Sequence, residues 1–372
     1  MRILAINAYH GGSHREFLEQ WISHSCHEFS VFSLPARHWK WRMQHAAVTL
    51  ASDVEARFEA GQRWDVLFVT DMFDLATFLG FVRAEIAALP RIVYFHENQW
   101  TYPVPENETR DLTYGFINLK TAISADEIWF NSDFHRREFF QASVDFLKRM
   151  PDYSLLDLLS SCEQKSSVVP PGIQQTEFEV ERRGERPIQI LWVARWEYDK
   201  NPRQFCEAIG ELARKEIPFR LSVLGQTSPE IPDCFEALRA AFPDRIDHWG
   251  FRERRSDYLR ALQQADLVIS TAWHEFFGIS ILEAVDAGCI PILPSRLAYP
   301  EIFSKVTDCF YDGSTDSLVS KIIQFSKSLQ ADSLDPVLRD QLEQITAQFH
   351  WSTHVMQLDQ GVENCRRRSD IS

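Results

Sequence analysis

Residues 267–293 read LVISTAWHEFFGISILEAVDAGCIPIL. The segment begins with an apolar run at 267–270, passes through an acidic loop into a helical pattern, and ends in a second apolar run at 290–293. Near-continuous apolar runs are typical of parallel strands that are covered on both faces, and a helix between two such strands is typical of a βαβ unit. The segment therefore predicts an α/β fold built on parallel sheets.

The same alternation of strand and helix extends along the whole chain, interrupted once by VVPPGIQQTEFEVERRGERP at 168–187. Proline and glycine break regular structure there, so we place a domain boundary near 172–187. The predicted strands before it are Ile3 to Asn7, Phe29 to Phe32, Val66 to Thr70, Arg91 to Phe95, Glu127 to Phe130 and Ser167 to Val169. Those after it are Ile188 to Val193, Arg220 to Leu224, Ile246 to Trp249, Leu267 to Ser270 and Ile290 to Leu293.

This pattern predicts two doubly wound, Rossmann-like domains that face each other across a cleft, at 1–173 and 174–350. The remaining segment, 351–372, is expected to be a C-terminal helix that packs back across the domains. Open α/β sheets bind ligands at the carboxyl ends of their strands. Candidate functional residues are therefore sought where strands end.

Composition excludes several classes of protein. The 372 residues are 45% hydrophobic and 25% charged, which is not the composition of a disordered or collagen-like chain. A net charge of −14 argues against a protein that coats nucleic acid or anionic membrane by bulk electrostatics. Seven cysteines without a C-x-x-C pair indicate free thiols in a reducing compartment. We expect a cytoplasmic monomer with no membrane partner.

Two glutamates flank the predicted helix start in HEFFGISILE, residues 274–283. If the helix begins near Gly278, Glu283 lies on its second turn and Glu275 lies in the preceding loop. The free N–H groups and positive dipole end of such a helix favour an anion, for example a diphosphate. The alternative is an ordinary helix with one solvated glutamate.

Two cations follow the strand ILWVAR in RWEYDK, residues 195–200. Arg195 and Lys200 emerge from the carboxyl end of a parallel strand, where they can converge on phosphate oxygens. The alternative is a pair of solvated surface cations, but Asn201-Pro202 is a helix-start signal that fixes where Lys200 points. Because both cations lie at a strand end rather than in a core, replacing them is expected to leave folding intact.

The amino-terminal half carries two further strand-end motifs. Gly11, Gly12 and Ser13 follow the first strand, and paired glycines let the backbone approach a ligand closely beside a helix N-terminus. His96 and Asn98 lie in HENQ, directly after the strand RIVYF. His96 is a candidate functional side chain at this strand end, and the alternative is a histidine that merely lines the cleft.

One stretch is a local exception to the acidic composition: residues 29–52 contain no Asp or Glu. It alternates cations with tryptophans, namely Arg37, Trp39, Lys40, Trp41 and Arg42. Cations interleaved with aromatic faces suit phosphate contacts combined with stacking on unpaired bases. The alternative is a loop whose tryptophans pack in the core while the cations extend to solvent.

Residues 188–303 carry, in unbroken order, RWEYDK, VLG, WGF, the two-glutamate motif, AGCIP and PEI. This order resembles the donor half of retaining GT-B glycosyltransferases of the glycogen-synthase-like group, family 4. The resemblance implies that Arg195 and Lys200 neutralise the leaving diphosphate and that Glu283 binds the ribose. It assigns the catalytic residues as His96, Glu275, Arg195 and Lys200, with His96 as a candidate for sugar positioning or proton handling. It assigns donor binding to Arg195, Lys200, Phe251, Glu275, Phe276, Phe277, Gly278, Ile279 and Glu283. The glycine motif after the first strand adds Gly11, Gly12 and Ser13 to the expected donor-binding residues.

Such catalysis stabilises charge electrostatically, so no metal and no cofactor are expected, and the sequence has no D-x-D motif. A second series of motifs extends across nearly the whole chain: GGSH, LPARHWKWR, FHENQWTYPV, YGFIN, FNSDFH, RWEYDK, VLGQT, HWGF, HEFFG and YPEIF. In this order the motifs resemble one family more closely, the tRNA-queuosine mannosyltransferases. That resemblance implies a GDP-mannose donor, and the cyclopentenediol of queuosine at the tRNA wobble position as acceptor. The implied tRNA contacts are Arg37, Trp39, Lys40, Trp41, Arg42 and Asn98.

Two other functions stay open from the sequence. The same fold can transfer another sugar to a small-molecule or lipid acceptor. A catalytically silent module that binds RNA or nucleotides belongs to a different class, and the presence of Arg195, Lys200 and Glu275 argues against it.

Overall fold

The structure is a computed structural model that describes residues 1–104, 108–176, 186–227 and 231–369. Residues 177–185 of the expected linker lie outside the described residues. The chain divides into two compact units. The first comprises Met1–Gly172 together with the segment from Trp351 onward, and the second comprises Ile173–His350.

The first unit is built on a parallel sheet that has six strands among the described residues, in the order β2-β1-β3-β4-β5-β6. The strands are β1 Arg2–His10, β2 Glu28–Pro35, β3 Val66–Thr70, β4 Arg91–Phe95, β5 Glu127–Phe130 and β6 Ser166–Val168. The register pairs Thr70 with Tyr94, so β3 and β4 end side by side. The α/β fold expected from the sequence is confirmed.

Seven helices up to residue 164 accompany this sheet in the described part of the first unit. They are α1 Gly12–His24, α2 Trp39–Glu59, α3 Leu75–Phe81, α4 Ala84–Ala87, α5 Leu112–Ser124, α6 Asp133–Leu147 and α7 Leu156–Gln164. α2 begins within the basic and aromatic stretch, so that stretch is largely helical rather than a loop. Its buried residues recur at helical spacing from Arg42 through Ala46, Leu50 and Val54.

The second unit repeats the plan with the strand order β12-β11-β10-β7-β8-β9. Its strands are β7 Ile188–Val193, β8 Phe219–Leu224, β9 Ile246–Gly250, β10 Leu267–Ile269, β11 Ile290–Pro294 and β12 Phe310–Tyr311. Its α-helices are α8 Pro202–Arg214, α9 Asp233–Ala241, α10 Arg255–Gln263, α11 Ile279–Asp286, α12 Tyr299–Ile302, α13 Thr315–Gln330 and α14 Pro336–Ala347. The two-residue edge strand β12 was not predicted because it is too short to show a pattern.

The last helix, α15 Trp351–Ser369, returns to the first unit. Val355, Leu358 and Val362 are buried in one core with α1. Trp351 lies against Gly172, where an added Cβ would come within 2.5 Å of the indole. The first unit is therefore completed by the end of the chain.

Candidate active site

The buried cation Lys200 is the centre of the candidate site in the second unit. A short 3-10 turn, Tyr198–Lys200, follows β7. The ammonium nitrogen of Lys200 donates a hydrogen bond to the carbonyl oxygen of His274 at 2.7 Å. The same nitrogen lies 3.3 Å from Glu275 Oε2 and 3.2 Å from Asp199 Oδ2. One ammonium thus joins the end of β7 to the loop that precedes α11.

Opposite charges decide the protonation states in this cluster. Burial alone lowers the pKa of Lys200, but the carboxylates of Glu275 and Asp199 outweigh it and raise the pKa above its usual value. Burial raises the pKa of Glu275, and Lys200 and a backbone N–H from Phe277 reverse that effect and lower it. Burial, with help from Lys200, lowers the pKa of His274 to about 4. The site therefore holds a charged lysine, a charged glutamate and a neutral histidine.

Arg195 differs from Lys200 in its environment. Its side chain is 46% exposed and lies 3.2 Å from Glu197, whereas the Lys200 side chain is only 9% exposed. The expectation that both cations sit outside a core holds for Arg195 and is wrong for Lys200. The helix start predicted after Lys200 is confirmed, since the Asn201 side chain caps α8 and Pro202 is its first residue.

Gly278 lets the chain turn from the glutamate loop into α11. Its φ of 95° lies in the left-handed region that L side chains rarely adopt. An added Cβ would come within 2.9 Å of the Tyr299 ring and 3.6 Å of the Glu275 side chain. The expected helix start near Gly278 is confirmed, because α11 begins at Ile279.

Glu283 lies on the second turn of α11, as expected, and is buried. Its carboxylate accepts a hydrogen bond from Arg255 and another from the Tyr258 hydroxyl at 2.8 Å. The structure thus places the two glutamates in different surroundings: Glu275 pairs with Lys200, and Glu283 pairs with α10. Sequence patterns alone did not indicate the interactions of Arg255 and Tyr258 with Glu283.

The remaining donor-site candidates divide by exposure. Phe251 follows β9 and is 61% exposed. Phe276 and Phe277 are buried, and Phe277 packs edge to face against Phe349 at 5.7 Å. Ile279 is half-buried at the start of α11. Of these four, Phe251 presents its ring to solvent, as contact with a nucleobase would require.

His96 is the centre of a second cluster, in the first unit, directly after β4. Its backbone N–H donates to Asp71 Oδ1 at 2.9 Å, and its carbonyl oxygen accepts from Asn131 Nδ2 at 2.9 Å. Its ring lies 4.1 Å from that of His14 and 4.6 Å from that of Tyr94. The ends of β3, β4 and β5 and the first turn of α1 therefore fix the position of this imidazole.

Burial decides the protonation states around His96. It lowers the pKa of His96 well below the usual value, and His14 and His135 act in the same direction. It raises the pKa of Asp71 well above the usual value, with a contribution from Glu97. His96 Nε2 and Asp71 Oδ2 are buried without hydrogen-bond partners among the described residues. The cluster presents a neutral imidazole.

The glycine motif after β1 is explained by close packing. An added Cβ at Gly11 would lie 2.4 Å from the Cβ of Ala36, and Gly12 has a φ of 51° at the start of α1. Ser13 is exposed in the first turn of α1. Nothing in these contacts identifies a ligand, so donor binding by Gly11, Gly12 and Ser13 stays a prediction.

The basic and aromatic stretch separates into exposed and structural residues. Arg37 and Lys40 are exposed, and Lys40 lies 3.7 Å from Glu108. Trp41 is 61% exposed and stacks on His45 with ring centroids 4.8 Å apart. Trp39 is half-buried against Tyr114. Arg37, just before α2, and the first turn of the helix thus offer two cations and a flat aromatic surface to solvent.

Two of the expected tRNA contacts are engaged within the first unit. Arg42 is buried, donates from Nε to the Pro35 carbonyl oxygen at 3.1 Å and lies 2.8 Å from His45 Nε2. Asn98 is fully buried, and its Oδ1 accepts from the backbone N–H groups of Trp100 and Thr101. Both side chains stabilise local structure.

Sequence reasoning missed several residues that the structure brings into the two clusters. They are Asp199, Arg255 and Tyr258 in the second unit and His14, Asp71 and Asn131 in the first. A signal was present for Asp71 and Asn131, because each directly follows a predicted strand. Arg255 and Tyr258 lie on a helix that meets α11 only in the folded unit.

Solved structures share the fold at low sequence identity. Sucrose-phosphate synthase from Thermosynechococcus elongatus aligns with a TM-score of 0.71 over 98% of this chain and 99% of that one, at 13% identity. HepE from Anabaena, in complex with UDP, aligns with a TM-score of 0.67 over 98% and 100%, at 14% identity. A family model for glycosyl transferases group 1 matches residues 173–333. Fold and match together define a GT-B glycosyltransferase.

The first unit gives the narrower assignment. A model for the N-terminal part of tRNA-queuosine alpha-mannosyltransferase matches residues 2–173. The tRNA-queuosine alpha-mannosyltransferase of Drosophila melanogaster is 33% identical over 360 residues, covering 94% of this chain and 92% of the relative. This chain belongs to the tRNA-queuosine alpha-mannosyltransferase family, as its resemblance indicated.

A more distant relative matches part of the chain. A GDP-mannose-dependent alpha-(1-6)-phosphatidylinositol dimannoside mannosyltransferase of Mycobacterium tuberculosis is 24% identical over 216 residues, or 56% of this chain and 51% of the relative. No helix among the described residues has the length and apolar composition needed to cross a bilayer.

Proposed function

We propose that this chain is a retaining mannosyltransferase that transfers mannose from GDP-mannose to queuosine at the wobble position of tRNA. The observation that carries the proposal is the Drosophila relative, which matches both units at 33% identity. GDP-mannose is supported by the mycobacterial relative, a GDP-mannose-dependent enzyme. The acceptor is supported by the family model, which matches 2–173.

The second unit binds the donor in this proposal. Lys200 and Arg195 lie at the carboxyl end of β7 and stabilise the negative charge that develops on the diphosphate as the glycosidic bond breaks. Glu275 is held in its ionised form by Lys200 and accepts hydrogen bonds from sugar hydroxyls. Protein cations supply the charge compensation, so the proposed transfer needs no metal.

The donor is bound through the nucleoside by two further groups. Glu283 accepts hydrogen bonds from the ribose hydroxyls, for which Arg255 and Tyr258 orient its carboxylate. The exposed Phe251 ring packs against the guanine. Both assignments come from the family pattern, and the exposure of the Phe251 ring agrees with the second of them.

The first unit binds the tRNA. Because the whole chain carries a charge of −14, phosphate contacts must be concentrated in a patch, and Arg37 and Lys40 supply one. Trp41 beside them offers a face on which an unpaired base can stack. His96, held neutral by burial, exchanges a hydrogen bond with a reacting hydroxyl. Trp39 and Arg42 stabilise the start of α2, through Tyr114 and the Pro35 carbonyl oxygen respectively. Asn98 stabilises the turn after β4 through the backbone N–H groups of Trp100 and Thr101.

A donor panel with two tRNA acceptors tests the function. We expect mannosyl-queuosine, detected by mass spectrometry of digested tRNA, only with GDP-mannose and queuosine-containing tRNA. Equal labelling of tRNA that lacks queuosine would refute the acceptor. Transfer from UDP-glucose instead would refute the donor and favour a GT-B enzyme with another sugar.

The proposed tRNA surface of Arg37, Lys40 and Trp41 is tested separately, by the salt dependence of tRNA binding. The double variant Arg37→Ala/Lys40→Ala is expected to bind tRNA more weakly and to lower the slope of log K against log salt by about 0.7 to 0.9 for each phosphate that is no longer neutralised. Trp41→Ala is expected to cost about 1 to 3 kcal/mol of binding at an unchanged slope. Val48→Ala, an exposed residue further along α2, is the matched control. An unaltered slope in the double variant would place the tRNA elsewhere.

A further inference from the structure

Three side chains with different metal-binding atoms converge in the first unit, away from His96. Cys26 and His27 lie in the turn between α1 and β2, and Asp359 lies on α15. Cys26 Sγ is 3.5 Å from His27 Nδ1, and one ligand atom from each of the three residues lies within 4.8 Å of the others. His27 and Asp359 are buried, and Cys26 is exposed. The cluster is therefore preassembled and open on one side.

Neighbouring groups orient the Asp359 carboxylate. Its Oδ1 accepts from Trp21 Nε1 at 2.9 Å and from Ser25 Oγ at 2.7 Å. Its Oδ2 accepts a hydrogen bond from the backbone N–H of Cys26 at 3.0 Å, which turns this oxygen towards Cys26. Carboxylates that bind metals in proteins are themselves oriented by hydrogen bonds, and both oxygens of Asp359 accept them.

The ring of His27 is oriented as well. Its Nε2 lies 3.5 Å from the backbone carbonyl oxygen of Asp359. A ring N–H directed at that oxygen leaves the lone pair of Nδ1 facing Cys26, which is the tautomer that a metal requires. The amino nitrogen of Met1 lies 3.3 Å from the same Nδ1, so a metal at this nitrogen would have to displace that amino group.

We propose that Cys26, His27 and Asp359 bind one Zn²⁺ ion, with water as the fourth ligand. Zinc bonds of about 2.3 Å to sulfur and about 2.0 Å to nitrogen place the two atoms about 3.5 Å apart in a tetrahedral site. The observed separation of Cys26 Sγ and His27 Nδ1 is 3.5 Å. A mixed set of sulfur, nitrogen and oxygen suits zinc and not magnesium or calcium. Binding releases the thiol proton to solvent and joins α15 to the turn after α1.

Cobalt is the probe, because Co²⁺ reports both its coordination number and a thiolate ligand. Protein is treated with chelator, transferred to buffer without added thiol and titrated with Co²⁺. At one equivalent we expect a thiolate-to-cobalt charge-transfer band and the intense visible bands of a tetrahedral ion. Zn²⁺ is expected to abolish both. In Cys26→Ser the charge-transfer band is expected to disappear and zinc affinity to fall at least about tenfold.

Two controls keep the outcome decisive if one variant is perturbed. Cys206→Ser changes a half-buried thiol of the second unit and is expected to leave the cobalt spectrum unchanged. Asp359→Asn keeps an oxygen for Trp21 and Ser25 but removes the charge, so it is expected to weaken zinc without unfolding α15. Absence of the cobalt bands in the wild type, or an identical spectrum in Cys26→Ser, would overturn the proposal. Equal thermal stabilisation of the wild type and of Cys26→Ser by Zn²⁺ would overturn the proposal too.

Discussion

Lys200 compensates two carboxylates at once, so the consequences of removing it reach beyond the reaction. Asp199 Oδ2 and Glu275 Oε2 both lie within 3.3 Å of its ammonium. Removing one partner of a buried ion pair leaves charge without compensation and is usually strongly destabilising. Position at a strand end did not reveal this burial, because the loop of 271–278 that covers the lysine comes from another part of the chain.

Lys200→Ala is therefore expected to lower both turnover and stability. We expect a rate loss on the order of 10² to 10³, as for removal of one transition-state donor, and a loss of about 3 to 5 kcal/mol in unfolding free energy. Arg195→Ala is the matched comparison, since its exposed side chain contributes charge but little stability. Urea denaturation of both variants measures stability, and steady-state kinetics measures turnover. Unfolding of Lys200→Ala at the wild-type urea midpoint would contradict this account.

His274 makes the stability of the second unit dependent on pH. Its pKa is about 4 in the folded protein and about 6.5 when unfolded. The unfolded state therefore binds the proton more readily, and the contribution of His274 to stability is present above about pH 6.5 and lost as pH falls towards 4. Between pH 7 and pH 5 we expect a loss on the order of 1 kcal/mol that His274→Gln does not show. Parallel pH profiles of the two proteins would exclude the effect.

At the scale of single residues, strand-end reasoning indicated residues that lie in the two polar clusters but not the side chains with which they pair. His96, Lys200 and Glu275 each follow a predicted strand, and the structure places each in a polar cluster. The partner of Glu283 is different: Arg255 is 28 positions away, on a helix. Sequence rules state which edge of a sheet a residue occupies, whereas side-chain pairing depends on how helices pack.

Among the elements, α11 depends on the conformation at its first turn. Gly278→Ala places a Cβ at a φ of 95° and 2.9 Å from Tyr299. We expect a loss of about 1 to 2 kcal/mol and weaker donor binding, because the Glu275 loop must shift. Gly210→Ala on α8, where an added Cβ meets nothing within 4 Å, is expected to stabilise the protein by about 0.5 to 1 kcal/mol. Thermal melts of the two variants measure stability, and calorimetry with GDP measures donor-site binding. Equal effects of Gly278→Ala and Gly210→Ala on both would contradict the role given to Gly278.

α2 shows what a periodic pattern could have added to the sequence prediction. Arg42 stands four residues before Ala46 and eight before Leu50, on the buried face of the helix. The helical period therefore extends into the basic stretch and separates Arg42 from Arg37 and Lys40. Charge alone placed all three in one surface, because composition does not distinguish the two sides of a helix.

At the scale of the whole molecule, the two units differ in how the chain builds them. Residues 173–350 contain all the strands of the second sheet that the structure describes, so this fragment is expected to fold alone and to bind GDP. Residues 1–172 lack Trp351, Val355 and Leu358, which are buried in the first unit's core. Each such side chain contributes about 1.5 to 3 kcal/mol, a large share of the usual total of about 5 to 15 kcal/mol.

The fragment 1–172 is therefore expected to show no cooperative thermal transition alone, and to regain one when 351–372 is joined to it through a flexible linker. Circular dichroism melts of both fragments check this. The same fusion carrying Leu358→Asp is the control, since a charge at this buried position prevents docking. A cooperative melt of 1–172 without α15 would contradict the role given to the helix.

The return of α15 to the first unit has a consequence for synthesis on the ribosome. The amino-terminal unit emerges first, yet it must wait while roughly 180 further residues are made, about 9 to 36 s at ~5 to 20 residues per second. The second unit is continuous in sequence and can finish folding before the first. During that interval the uncovered face of the first sheet is a target for chaperones. A transcript truncated directly after codon 350 yields a protein whose second unit is complete, while the half proposed to bind tRNA is left unfinished.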